Sequence, residues 1–378
     1  MSMLMSSEYT DERSERLGIT NPDCLSAASK RALAWPERSN NWYGTFSVSD
    51  LKGDLAYEKG VTRRDPSSVL FEDGVYHVWY TKSEGPSVGF TDNFDDKVWP
   101  WDYAEIWHAT SEDGITWNED QRAVGRGEAG AFDDRSVFTP EVLNHEGTYY
   151  LVYQTVKSPY IQRAKEQIGI ASAASPYGPW IKHPEPILSP ADNGIWKGND
   201  PHDRFSVIKK GDFDSHKVHD PYLTFYNGRF HLYYKGEQMG WEINFGGREI
   251  RHGVAMSDSP FGPYEKSPFN PISNSGHEVA VWHYNGGIGS LITTDGPERN
   301  TIQWAPDGIN FEILAYIQNA PHAMGLLRKN DDSAIPFTIF EWGLTHEYMN
   351  SNDQYIRRFD GHQHERIFTS STYKSIEG

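Results

Sequence analysis

The sequence predicts an all-β chain folded as a five-bladed β-propeller, with a short helical segment ahead of it. Three observations predict it. A strand block recurs five times, a Gly-turn block follows it in four of the five units, and the composition favours short strands with frequent turns.

The strand block is a turn followed by alternating aromatic and aliphatic residues. Tyr76-His77-Val78-Trp79-Tyr80-Thr81 follows Glu72-Asp73-Gly74, and Tyr149-Tyr150-Leu151-Val152-Tyr153-Gln154 follows His145-Glu146-Gly147. Phe230-His231-Leu232-Tyr233-Tyr234-Lys235 follows Tyr226-Asn227-Gly228. Weaker copies are Gly289-Ser290-Leu291-Ile292-Thr293, after Asn285-Gly286, and Pro336-Phe337-Thr338-Ile339-Phe340, after Asp331-Asp332. Gly and Asn in these turns supply the positive φ that a tight hairpin needs.

The second block is a small residue, a turn with Gly and an aromatic that anchors an outer strand. It reads Ser111-Glu112-Asp113-Gly114-Ile115-Thr116-Trp117, Ser175-Pro176-Tyr177-Gly178-Pro179-Trp180, Ser259-Pro260-Phe261-Gly262-Pro263-Tyr264 and Ala305-Pro306-Asp307-Gly308-Ile309-Asn310-Phe311. A polar start precedes each aromatic strand: Asp65-Pro66, Thr139-Pro140-Glu141, Asp220-Pro221, His277-Glu278 and His322-Ala323. The unit is therefore four strands, and radial repetition of four-stranded units is the signature of a propeller. A closed ring also removes the edges that a stacked solenoid must cap.

The segment before the repeats differs. Ser26-Ala27-Ala28-Ser29-Lys30-Arg31-Ala32-Leu33 is Ala-rich and free of Gly, which predicts a helix between Pro22 and Trp35 with Asp23 as N-cap. A lone helix this short is marginal in water, so it must dock on its own propeller or on a partner subunit. The predicted division is 1–40 helical, 41–361 propeller and 362–378 a polar tail.

Composition limits the function. The net charge of −18 repels phosphate backbones and anionic lipid, which argues against nucleic-acid and membrane partners and favours a neutral ligand. Aromatics make up 14% of the chain, with 13 Trp and 21 Tyr, and an aromatic face suits the C–H face of a sugar ring. The single cysteine, Cys24, excludes an intrachain disulfide framework. No CxxC or HExxH spacing, no Gly-x-Ser-x-Gly elbow and no P-loop is present; Gly246-Gly247-Arg248 lacks the P-loop spacing. The polar, acidic start from Met1 to Arg13 is not a signal peptide, so the sequence reads as cytoplasmic, or as periplasmic if a signal has been removed.

In a propeller the first strand of every blade lines the central channel, so Asp65, Glu141, Asp220, His277 with Glu278, and His322 converge there. Any one such Asp is accounted for by an Asx turn at a strand start. Several carboxylates in one channel cost electrostatic energy, which a purely structural repeat would avoid, so the set points to chemistry. Glycoside hydrolysis needs an acid for the leaving oxygen and a base or nucleophile on the other side of the anomeric carbon. Asp65 in blade 1 and His277–Glu278 in blade 4 face each other across a five-bladed ring, with room for sugar and water, so inversion is expected.

These residues resemble glycoside hydrolase family 117, the α-1,3-neoagarooligosaccharide hydrolases. The matching pieces are Ser26-x-Ala28-x-x-Arg31, Arg64-Asp65-Pro66, Thr139-Pro140-Glu141, His219-Asp220-Pro221-Tyr222 and Gly276-His277-Glu278. The resemblance implies a homodimer that exchanges its N-terminal helix, and inverting, exo-acting release of 3,6-anhydro-L-galactose from the non-reducing end of neutral agar oligosaccharides. It implies Asp65 as general base and Asp220 as the carboxylate that orients the site. The acid is either His277 or Glu278; His277 is preferred, with Glu278 as its neighbour and polariser. Thr139, Glu141, Gln154 and His219 would be sugar contacts, and His322 joins them from the fifth polar start. No cofactor is required, although clustered carboxylates would suit a hard divalent cation near the channel. Two alternatives remain: another five-bladed hydrolase acting on arabinose or xylose, and a non-catalytic sugar-binding propeller.

Overall fold

The computed structural model describes residues 44–240, 250–328, 338–350 and 352–363. The predicted N-terminal helix and its Ser26, Ala28 and Arg31, the stretch Gly246–Arg248 and residues 336–337 lie outside the described residues. So does the tail beyond Gln363.

Five sheets are arranged as the blades of a propeller. Blades 2, 3 and 4 each run from inner to outer strand in chain order. Blade 2 is Ser136–His145, Thr148–Val156, Glu166–Ala173 and Ile181–Lys182. Blade 3 runs from Lys217–Tyr226 to Glu265–Lys266, and blade 4 from His277–Tyr284 to Glu312–Tyr316. In blade 1 the inner strand is split into Val61–Arg64 and Leu70–Glu72, both paired with Val75–Glu84. The four Gly-turn blocks fall at the connections to the outer strands, as the repeat predicts.

Blade 5 departs from that order and closes the ring. Its inner strand Gly325–Leu326 and middle strands Trp342–Tyr348 and Gln354–Gln363 come from the end of the chain. Its outer strand, Gly44–Asp50, comes from the beginning, with Phe46 opposite Gly361 and Val48 opposite Phe359. This explains why the Gly-turn block appears only four times: the fifth outer strand precedes the first repeat. The fifth aromatic strand also lies later than the repeat suggests. Thr338–Phe340 is a 3₁₀ turn, and the strand is Trp342–Tyr348. On the channel side, Val69 donates to the Leu326 carbonyl and Arg328 to that of Val69. A Cβ on Gly325 would strike the Ser67 carbonyl oxygen, so only glycine permits this approach.

Alternation along the strands places one apolar cluster in each seam between blades. In the 3/4 seam Tyr222, Tyr233 and Val254 meet Val281, Ile288 and Phe311. Val78 and Tyr80 pack toward blade 5, whereas Trp79 between them packs toward blade 2. The aromatic runs are therefore two-faced, each wide ring filling the wedge between twisted sheets. This is how a chain with 37% hydrophobic residues fills its core.

Each inner strand breaks at one residue in the left-handed region. These are Asp65 (φ 49°), Thr139 (48°), Asp220 (47°), Glu278 (57°) and Ala323 (44°). None is glycine, and in blades 2 and 3 the pairing register shifts across the break. The break swings these side chains out of the strand's alternation. It also corrects the alignment of the polar starts: Thr139 holds the repeat position in place of Glu141, Glu278 in place of His277, and Ala323 in place of His322.

The closing strand makes a direct prediction. Phe46 packs edge-on against Phe340 and Phe359 at 6.2 and 6.0 Å. Phe46→Ala should cost about 2–3 kcal/mol in urea unfolding. Ile181→Ala, at a side chain 70% exposed, should change stability by less than about 0.5 kcal/mol.

Candidate active site

A cavity of about 280 Å³ opens over the channel at the five breaks. Asp65, Thr139, Asp220, Glu278 and Ala323 all line it, and so do Glu141, Gln154, His219 and His277. His322 does not; its side chain is exposed and its carbonyl accepts from Thr345.

Asp65 sits on blade 1 with its carboxylate fully engaged. Its Oδ2 accepts from Arg64 Nε at 2.7 Å, Thr81 Oγ1 at 3.2 Å and Thr139 Oγ1 at 3.3 Å. The His346 ring of blade 5 lies 3.3 Å from Oδ1. Burial pushes this carboxyl up, but Arg64 and His346 outweigh it and hold the group well below the ordinary carboxylate range. Arg64 is itself fixed by Gln354 and stacks over Trp101.

Asp220 on blade 3 pairs with Lys235 Nζ at 2.5 Å, and its N–H donates to Gln154 Oε1 at 3.3 Å. Burial raises its carboxyl, but the charge of Lys235, with His219 and His277 adding to it, outweighs burial and leaves the group below the ordinary carboxylate range. Glu141 lies deeper. It accepts from the Ser68 N–H at 2.8 Å and from Arg328 at 2.9 Å, and burial raises its carboxyl against the pull of Arg328.

His277 on blade 4 is held at both nitrogens. Nδ1 lies 2.5 Å from Asp295 Oδ2, and Nε2 lies 3.4 Å from Glu278 Oε1. Glu278 is the expected neighbour at Nε2, and Asp295, which the sequence did not single out, makes the shorter contact at Nδ1. Asp295 follows Thr294, the strand partner of His277, so the hairpin itself brings the two together. In the sequence Asp295-Gly296 reads as an ordinary turn.

A second buried acid was also not anticipated. Glu166, at the start of the third strand of blade 2, accepts from Lys217 at 2.7 Å and Tyr160 at 3.1 Å through Oε1. Its Oε2 contacts Gln154 Nε2 and, at 3.2 Å, His219 Nδ1. Lys217 and Glu166 face each other across the 2/3 seam, a pairing between distant strands that no local pattern reports.

One side of the cavity is aromatic. Trp99 and Trp101 stack at 5.4 Å and 10°, and Phe90 meets Trp99 edge-on. They lie on the long excursion after Val75–Glu84. Buried Arg135 staples that loop, with a bidentate pair to Asp102 at 2.8 Å and bonds to the Phe94 and Asp96 carbonyls. Among the described residues no cluster of three or more His, Cys, Asp or Glu is placed to hold a metal ion.

An ionised carboxylate, a carboxylate–imidazole pair and an aromatic wall around one propeller channel suit a glycoside hydrolase. Comparison with solved structures agrees. The chain is similar to Zg3597, a family 117 glycoside hydrolase produced by the marine bacterium Zobellia galactanivorans: 34% identity, TM-score 0.70, covering 85% of this chain and 92% of that one. The chain belongs to glycoside hydrolase family 117. Its fold is shared at lower identity by CoXyl43, a family 43 β-xylosidase/α-arabinofuranosidase from a compost metagenome (14%, TM-score 0.51, 84% of this chain and 95% of that one). It is also shared by the catalytic domain of a family 62 α-L-arabinofuranosidase from Coprinopsis cinerea (13%, TM-score 0.51, 86% and 98%). No family model and no curated protein sequence matches the chain.

The pairing of Asp220 with Lys235 sets a pH dependence. The folded Asp220 titrates below its unfolded value, so its contribution is present above pH ~4 and lost as pH falls through the folded pKa. In Lys235→Met burial loses its largest counterweight, with only His219 and His277 left against it, so the folded pKa rises. The variant should be less stable than wild type by about 3 kcal/mol at pH 7. Urea unfolding at pH 7, 5 and 3 should show the gap narrowing as pH falls.

Proposed function

We propose that this glycoside hydrolase releases 3,6-anhydro-L-galactose from the non-reducing end of neutral neoagarooligosaccharides, with inversion. The observation that carries the reading is that Asp65 of blade 1 and His277 of blade 4, the latter held by Asp295, line one cavity. Membership of family 117 supports the substrate class. The small cavity and its stapled aromatic wall suit the end of a chain, which supports exo action.

A water between Asp65 and the anomeric carbon is the nucleophile. Arg64 and His346 keep Asp65 ionised but weaken it as a base, so it takes the water's proton late, as the new bond to carbon forms and acidifies that water. The glycosidic C–O bond breaks on the opposite face, and the leaving oxygen receives the proton from His277 Nε2. Asp295 accepts from Nδ1 and so fixes the ring's orientation, as a carboxylate commonly does for a working imidazole. Asp220, held by Lys235, places a second negative charge beside the developing oxocarbenium ion. Attack and departure on opposite faces invert the configuration.

Incubation with neoagarobiose should release galactose and 3,6-anhydro-L-galactose, separable by chromatography. Asp65→Asn should lower kcat by at least ~10³-fold while leaving binding intact. Activity on aryl arabinosides or xylosides but not on neoagarobiose would assign the site to a different sugar. The acid is tested with an aryl glycoside whose leaving group needs no proton. His277→Ala should recover on it relative to neoagarobiose, and Asp295→Asn should recover partly. Recovery of Glu278→Gln alone would make Glu278 the acid.

A further inference from the structure

Glu166 has no part in the bond-breaking steps, yet its side chain is almost wholly buried and carries four polar contacts. Lys217 supplies the counter-charge. Burial pushes the Glu166 carboxyl up, and Lys217 and His219 more than offset this, so the group is ionised. His219 is buried as well. Burial and the nearby Lys235 lower its pKa to about 4, so at neutral pH the ring is uncharged.

A neutral imidazole has one donor and one acceptor nitrogen. Two groups compete for Nδ1: Glu166 Oε2 at 3.2 Å and Gln154 Nε2 at 3.3 Å. An Nδ1 lone pair would face an ionised carboxylate and repel it, whereas Nδ1–H makes a charge-assisted bond. Gln154 keeps one amide N–H on Glu166 and its oxygen on the Asp220 N–H; its second N–H gives up the 3.3 Å contact with Nδ1, a neutral bond weaker than the charge-assisted one that replaces it. The proton therefore sits on Nδ1, and the lone pair on Nε2. That Nε2 is buried without a hydrogen-bond partner, on a residue that lines the cavity. A buried acceptor left unpaired is costly, and a ligand that donates to it removes the cost.

We propose that Glu166 is a positioning residue that fixes His219 as an obligate hydrogen-bond acceptor, making the subsite beside Asp220 selective for a sugar with a free hydroxyl there. A deoxy sugar, an O-methyl ether or an anhydro bridge oxygen at that position cannot donate and leaves Nε2 unpaired. Sites built this way discriminate far more strongly than apolar pockets do. The inference rests on the cavity being the sugar site, and not on which sugar it takes.

The test begins with the wild-type protein without substrate. With ¹⁵N-histidine labelling, the two-bond ¹H–¹⁵N spectrum at pH 7, assigned by loss of the signals in His219→Gln, should show His219 protonated at Nδ1 only. An Nε2–H ring or a cationic ring would overturn the proposal. In Glu166→Gln the new amide can donate to Nδ1, so the ring should switch to Nε2–H, and Glu166→Asp should keep the wild-type tautomer. Kinetically, Glu166→Gln should raise KM at least ~10-fold with a smaller change in kcat, and Glu166→Asp should recover most of it. An unchanged KM in a folded Glu166→Gln protein that has switched tautomer would also overturn it. Failure to cleave neoagarobiose with the Nδ1–H ring present would count against the substrate assignment alone.

Discussion

The left-handed break at the start of each inner strand is the constraint on which the site depends. A non-glycine residue in that region costs roughly 1–2 kcal/mol, and the chain accepts this five times at equivalent places. Without the break, Asp65, Thr139, Asp220 and Glu278 would obey strand alternation and point into the seams, among the rings that fill them. With it they turn into the channel, where the blades bring them within reach of one ligand. Pro66, Pro140 and Pro221 follow three of the breaks and remove N–H groups that the interrupted ladder would leave unpaired. Fold and chemistry meet at this point, since the same backbone feature that interrupts the sheet presents the acids.

Electrostatics then give these acids different roles. The channel holds several buried carboxylates, and each is matched from a neighbouring strand or blade. Arg64 and His346 hold Asp65, Lys235 holds Asp220, Lys217 holds Glu166, and Arg328 holds Glu141. Such pairs contribute little net stability once desolvation is counted, but removing one partner strands the other. The matched network keeps Asp65, Asp220 and Glu166 ionised, whereas burial still raises Glu141 against Arg328. Blade 4 differs in that two carboxylates, Asp295 and Glu278, flank one imidazole.

Much of this architecture was legible in the sequence, because it is periodic. The aromatic strands and Gly turns give the blade count, and the polar starts locate the channel. The parts that were not legible depend on pairings between distant residues. Gly44–Asp50 carries no repeat signature, since its partner lies more than 300 residues away in Gln354–Gln363. Glu166 is one polar residue at a strand start until Lys217 and His219 close around it. Asp295 looks like a turn residue until the hairpin sets it against His277. The alignment of the polar starts slipped by one or two residues in blades 2, 4 and 5. There the break falls on Thr139, Glu278 and Ala323, and backbone conformation at non-glycine positions leaves no mark in composition. His322 was placed in the channel by that slip.

In the proposed reaction water attacks from the Asp65 side while the leaving group departs toward His277. Azide rescue tests it most directly. Asp65→Ala removes the base and leaves a space that azide, a nucleophile needing no base, can enter. Incubation of that variant with an α-linked aryl 3,6-anhydro-L-galactoside and azide should yield the β-glycosyl azide, identified by NMR. Formation of the α-azide, or no azide adduct in a folded variant that still binds the substrate, would contradict the assignment of Asp65 to the attacking face.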